Sequence, residues 1–183
     1  MIDAPQAAAP LEPSDRRELA RIVRVYAREW MRSRRRPPGA PHRAALLAEG
    51  GAWLRLRATT LCRSALHLAV DRPLYLVLGE LGAQLAEQPP PLLPADLAAV
   101  GLDILALGRP VRLAGAADIR PGQHGVLLVT AADHALIEAP GTEGLTVPEI
   151  AGRLCGQLCL PGEAAGDPAH AWYAFVGESF SSP

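Results

Sequence analysis

The sequence predicts an α+β protein built on a mainly antiparallel sheet with flanking helices. Three observations point there. Short strand patterns arrive in adjacent pairs, as hairpins do; helical stripes stand before, between and after them; and few strand–helix–strand units occur. A chain of 183 residues with 49% hydrophobic content can bury one sizeable core. That argues for one compact domain over residues 14–183, divided at most into two small lobes.

The opening, residues 1–13, is a Pro/Ala-rich stretch too poor in large apolar groups to pack, and reads as a flexible tail. A helix follows from Ser14–Asp15. Asp15 and Glu18 have capping-box spacing, and Leu19, Ile22, Val23, Tyr26, Ala27 and Trp30 recur on one face. Arg17, Arg21, Arg24, Arg28 and Arg32 occupy other faces, a solvated surface whose Arg21, Arg24 and Arg28 are candidates for contact with a partner. Pro37-Pro38-Gly39 must end the helix.

After the turn Glu49-Gly50-Gly51, Ala52–Arg57 and Thr60–Leu68 read as a hairpin. Alternation puts Cys62, Ser64, Leu66 and Leu68 on one face and Leu61, Arg63, Ala65 and His67 on the other. Asp71 is a helix cap and Pro73 suits the first turn of a helix buried through Leu74, Val77, Leu78, Leu81 and Leu85. Gly79 and Gly82 each cost that helix up to ~1 kcal/mol relative to alanine and mark a close approach of backbone.

Proline-rich Gln88–Pro94 is the expected lobe boundary, near 88–95. Beyond it Val100–Leu107 is a strand, Asp118–Gly122 a turn, and His124–Thr130 a strand paired with Ala135–Ala139. Thr146 and Glu149 form a capping box for a helix buried through Ile150, Leu154 and Leu158. An aromatic strand, Ala171–Val176, closes the chain.

Composition narrows the function classes. All eighteen basic residues are arginine, and the net charge is −1. Residues 1–72 hold 14 Arg against 7 acidic residues, and residues 73–183 hold 4 against 12. The balance does not fit a dedicated nucleic-acid binder, which is strongly basic, although a two-poled field can orient a partner. No run reaches the ~18 to 20 apolar residues of a membrane span, and the start lacks the pattern of a signal peptide. A cytoplasmic location is expected. Cys62, Cys155 and Cys159 are odd in number, so free thiols are expected.

In order, these elements resemble the AMMECR domain, the family named after the AMME chromosomal-region gene product and the A component of the AmmeMemoRadiSam gene set. Glu18-Leu19-Ala20-Arg21 is similar to its opening helix, and Gly51-Ala52-Trp53-Leu54-Arg55-Leu56 to its Gly-Ala-Phe-Val-Thr-Leu strand. Arg72-Pro73-Leu74-Tyr75 resembles its Arg-Pro-Leu helix entry, and Pro91–Leu97 its Pro-Pro-Leu segment. Ile119–Val126 resembles its Ile-x-x-Gly-x-His-Gly-Leu turn. Leu154-Cys155 with Leu160-Pro161, and Ala171–Phe175, are similar to its last helix and closing strand. The resemblance spans about Ser14 to Phe180. It implies two lobes around a cleft, and association with radical-SAM or Memo-type proteins.

The chain departs from the family at its most distinctive stretch, Leu-Arg-Gly-Cys-Ile-Gly, which lines the cleft and supplies a nucleophile. Here Leu61-Cys62-Arg63-Ser64-Ala65-Leu66 stands in its place, so the family cysteine falls on Ser64 and both glycines are gone. The Asp-Pro-Arg-Phe segment is absent, and Leu-Leu-Pro-Gln has become Leu136-Ile137-Glu138-Ala139. The resemblance thus implies a retained scaffold with a rewritten cleft, in which Arg63, His67 and His124 are candidate binding residues.

The residues alone offer little other chemistry. Cys155 and Cys159, four apart on a helix, could share a face, but no CxxC or HxxxH completes a zinc set, so no metal is expected. No Gly-rich loop opens a helix, and no cofactor is expected. Asp103, Asp118 and Glu138 are isolated. Two readings stand side by side. One is a non-catalytic accessory protein that binds a partner protein or peptide. The other is an enzyme with Cys62 or Ser64 as nucleophile on a small substrate. Serine needs a base within reach, and an offset of three residues turns His67 to the opposite face from Ser64.

Overall fold

The structure is a computed structural model that describes residues 5, 10–33, 46, 50–58, 61–69, 72–93 and 95–183. It is α+β, with two four-stranded sheets and flanking helices. The chain divides into two compact units. One runs Ala8–Leu107 and takes back Glu178–Pro183; the other is built on Gly108–Gly177. The division therefore falls at Leu107/Gly108 and at Gly177/Glu178, and the proline-rich segment 88–95 lies inside the first unit. That segment is held there by its own packing: Leu92 lies against a small cluster of Ala27, Ala83, Ala86 and Leu97.

In the first unit, helix α1 (Pro13–Ser33) packs on helix α2 (Leu74–Glu87) beside a sheet of order β2-β1-β3-β8. Its strands are β1 (Ala52–Ala58), β2 (Leu61–His67), β3 (Gly101–Leu107) and β8 (Gly177–Ser182). β1 pairs antiparallel with both β2 and β3. The core gathers Leu19 and Val23 of α1, Leu54 and Leu56 of β1, Leu102 and Ile104 of β3, and Leu78, Leu81 and Leu85 of α2.

Helix α1 starts two residues before the expected cap. Proline, its φ already helical, takes the first position at Pro13. Asp15 is buried and its Oδ2 accepts from Glu12 N at 3.0 Å, while Glu18 turns to Arg21 instead of closing a capping box. Of the expected tail 1–13, Leu11 is already packed: it is 5% exposed, and its N–H donates to Glu178 Oε2 at 2.7 Å. Except for Pro5 and Pro10, the earlier residues of that tail lie outside the described residues, as do Pro37–Gly39, Glu49, Thr60 and the Asp71 cap.

Gly79 and Gly82 of α2 do mark a close approach. A Cβ at Gly79 would run into the Tyr26 ring, and one at Gly82 would meet Val23 Cγ1 at 2.9 Å. Tyr26, 2% exposed and stacked on Trp30, thus needs a residue without a side chain beneath it.

The second unit carries a sheet of order β4-β7-β5-β6, antiparallel throughout. Its strands are β4 (Val111–Leu113), β5 (Gly125–Val129), β6 (His134–Ile137) and β7 (Ala171–Phe175). A short helix α3 (Ala139–Thr142) precedes α4 (Val147–Gln157), which buries Ile150, Ala151, Leu154 and Cys155 against Val126, Leu128 and Trp172. The predicted Thr146–Glu149 capping box is present: the Glu149 carboxylate accepts from Thr146 N and Oγ1, both at 2.7 Å.

Cys155 and Cys159 do not share a helix face. α4 ends at Gln157, and Leu160 N–H closes onto Cys155 O at 2.8 Å, so the chain turns with Cys159 in the left-handed region at φ 55°. This is a Schellman-type ending, with cysteine where glycine is usual. Cys155 is buried, and burial pushes its thiol up; Cys159 is exposed.

Candidate functional site

The hairpin register settles which side chains share a surface. Opposite Trp53, Arg55 and Arg57 of β1 stand Leu66, Ser64 and Cys62 of β2, and on the other flank Leu105, Asp103 and Gly101 of β3. All nine therefore lie on one face of the sheet, away from Leu54, Leu56, Leu102 and Ile104. Cys62 is exposed and Ser64 half-buried, side by side across from two arginines.

At the centre of this face is Asp103, 8% exposed. Its Oδ2 accepts from Arg55 Nε at 2.7 Å and Arg57 Nε at 2.8 Å, with Arg55 Nη2 also at 2.7 Å. Its Oδ1 accepts from Ser181 Oγ at 2.7 Å, a contact supplied by β8. Burial opposes ionisation, but the bonds from Ser181, Arg57 and Arg55 together hold the carboxyl below its usual range. Arg55 also lies over the Trp53 ring, 5.3 Å from its centroid. The Arg57 guanidinium lies across Gly101, where an added Cβ would sit 3.3 Å from its Cζ.

Asp103 is thus not isolated, as its sequence position suggested. The signal was present: a carboxylate inside the apolar run Gly101-Leu102-Asp103-Ile104-Leu105-Ala106-Leu107 demands partners, and Arg55 and Arg57 have the two-residue spacing of one strand face.

The other sequence candidates are placed as follows. Arg63 is 8% exposed on the core-side face of β2, and its guanidinium donates to Leu85 O, Gln88 O and Pro90 O at 2.7, 2.7 and 2.6 Å. It satisfies carbonyls at the C-terminal end of α2, where none remain within the helix to bond them. It is an internal brace. His67, opposite Ala52, belongs to the same face as Arg63 and faces away from Ser64.

The arginines of α1 are not one uniform surface. Arg21 is exposed and pairs with Glu18 at 2.7 Å. Arg24 is half-buried and binds within the unit, to Ser182 Oγ, Val100 O and Pro183 O, and burial lowers its pKa. Arg16 pairs with Glu178. The Nε of Arg28 is buried with no hydrogen-bond partner among the described residues.

In the second unit His124 is 8% exposed. Its Nε2 is buried without a hydrogen-bond partner among the described residues, and burial, then the charge of Arg120, pushes its pKa down. The next residue, Gly125, lies under the Phe175 ring with no space for a Cβ. A separate open pocket of about 920 Å³ sits by the edge strand β4, lined by Arg112, Trp172, Asp167, His170 and small residues. His170 Nδ1 lies 2.8 Å from Ala164 O, which leaves Nε2 as the acceptor in the neutral ring. Among the described residues no three His, Cys, Asp or Glu gather as a metal set, and no helix is long and apolar enough to cross a membrane.

No family model matches the chain, and no curated protein does. The fold is similar to that of a solved structure, the uncharacterized protein PH0010 from Pyrococcus horikoshii, with a TM-score of 0.65 at 18% identity over 90% of each chain. At that identity the likeness speaks for the fold alone.

Proposed function

We propose that this chain is a divergent AMMECR-like accessory protein that binds a peptide or protein partner and performs no chemistry of its own. The observation that carries the reading is the saturation of Asp103. It is the carboxylate that shares the face of Ser64 and Cys62, and both its oxygens are already committed to Ser181, Arg55 and Arg57. A carboxylate so bonded, with its pKa lowered, is a poor acceptor for a serine or thiol proton. Across from Ser64 and Cys62 stand arginines, which donate hydrogen bonds and accept none.

The order of family-like segments supports the AMMECR-like assignment, and the substitution of Ser64 for the family cysteine supports lost chemistry. By family association the partner is a radical-SAM or Memo-type protein. The binding surface is the Trp53/Arg55/Arg57 face of the sheet. Complementation tests this. In cells lacking the gene, Ser64→Ala and Cys62→Ala chains should restore the phenotype as well as the native chain does. Loss of function by either, in protein that melts at the native temperature, would assign a nucleophile to this face.

A further inference from the structure

We infer that Arg57 is the seat for a carboxylate of an acidic peptide segment on the partner; the inference rests on the binding reading above and names what the face recognises. Arg57 spends one donor, Nε, on Asp103. Its two terminal nitrogens have no hydrogen-bond partner among the described residues, and its side chain is 45% exposed. Asp103 and Gly101 fix its attitude together. The carboxylate holds one edge of the guanidinium, and the bare glycine lets the plane lie along the sheet, so the outer edge presents two parallel N–H donors. A planar fork of that kind matches the two oxygens of a carboxylate.

The charge of the cluster sets the class of anion. Two guanidinium groups face one buried carboxylate, leaving a single positive charge on a face that carries no other acid at Trp53, Cys62, Ser64, Leu66 or Leu105. A carboxylate monoanion neutralises that excess, whereas a phosphate dianion would reverse it. Trp53, half-buried under Arg55, sets an aromatic ring beside the charge. Ser64, diagonal to Arg57 across the hairpin, is within the ~7 to 8 Å over which long side chains still interact.

The test uses the full chain labelled with ¹⁵N at arginine and titrated with a hexaglutamate peptide, with a hexalysine peptide and inorganic phosphate as comparators. Hexaglutamate should bind saturably, move the Arg57 side-chain signals and weaken as salt is raised. Arg57→Gln should weaken binding by about tenfold or more, the scale of a lost charge-assisted pair. Arg57→Lys, which keeps the charge and loses the fork, should also weaken it, and Arg109→Gln in the other unit should leave it unchanged. Undiminished binding by folded Arg57→Gln and Arg57→Lys, or tighter binding of phosphate or hexalysine than of hexaglutamate, overturns the seat. The two claims fail separately. A Ser64→Ala chain that fails in cells while Arg57-dependent binding persists defeats the non-catalytic reading alone. Arg57-independent binding with a fully functional Ser64→Ala chain defeats the seat alone.

Discussion

Arg63 shows how one residue can look like a ligand-binding group in sequence and turn out to be a brace. It sits one position from the family-like nucleophile site, yet strand alternation sends it to the opposite face, where three carbonyls take up its donors. Replacing it strands the buried Leu85 carbonyl and leaves the half-buried Gln88 carbonyl unpaired. Arg63→Ala should therefore cost about 2–4 kcal/mol of folding stability, read as a lower urea midpoint at unchanged slope. A change within half a kcal/mol would mean that water reaches the end of α2 and the brace is dispensable. Asp103 is the converse case. It seemed a lone acid, and its partners lie on β1 and β8, which are 46 and 78 residues away in the chain.

At the scale of elements, packing between α1 and α2 depends on the glycines that make α2 a poor helix by propensity. Alanine at Gly79 would gain up to ~1 kcal/mol of helix propensity. It would also drive a methyl group into the buried Tyr26 ring, and overpacking of that kind costs about 1–3 kcal/mol. Steric cost wins, so Gly79→Ala should lower the thermal midpoint, while Gly79→Ala with Tyr26→Leu should recover part of the loss. A more stable Gly79→Ala chain would mean that the helices are not in contact there. The ending of α4 follows similar logic, with the left-handed Cys159 standing where glycine would be unstrained.

At the scale of the molecule, periodicity carried most of the fold and little of the site. The stripes of α1, α2 and α4 and the two hairpins were legible because each buries one face, and burial imposes a period of 3.6 or 2. Two strands were not legible. β4 has three residues, and β8, Gly-Glu-Ser-Phe-Ser-Ser, has a single large apolar side chain. β8 is held by pairing with β3, by Phe180 against the core, and by polar bonds from afar, Arg16 to Glu178 and Arg24 to Ser182, which no local pattern encodes. The division at Leu107/Gly108 escaped for a related reason: a strand of the first unit runs straight into the second, with the proline-rich signal displaced to an internal turn. On the site, alternation placed Cys62 and Ser64 together and His67 apart. The Arg55–Asp103–Arg57 cluster was signalled only as a buried acid and a pair of arginines on one strand face, because the register between β1 and β3 spans a second strand, a helix and a turn.

The claim that this face binds without reacting is tested most directly by labelling. The native chain is treated at neutral pH with a fluorophosphonate, which modifies activated serines, and with iodoacetamide, and adducts are mapped by mass spectrometry. The account predicts no fluorophosphonate adduct on Ser64, and alkylation of Cys62 no faster than that of the exposed Cys159. Stoichiometric modification of Ser64, or selective alkylation of Cys62 about tenfold faster than Cys159, in either case lost on unfolding, would contradict it and make the sheet face a catalytic one.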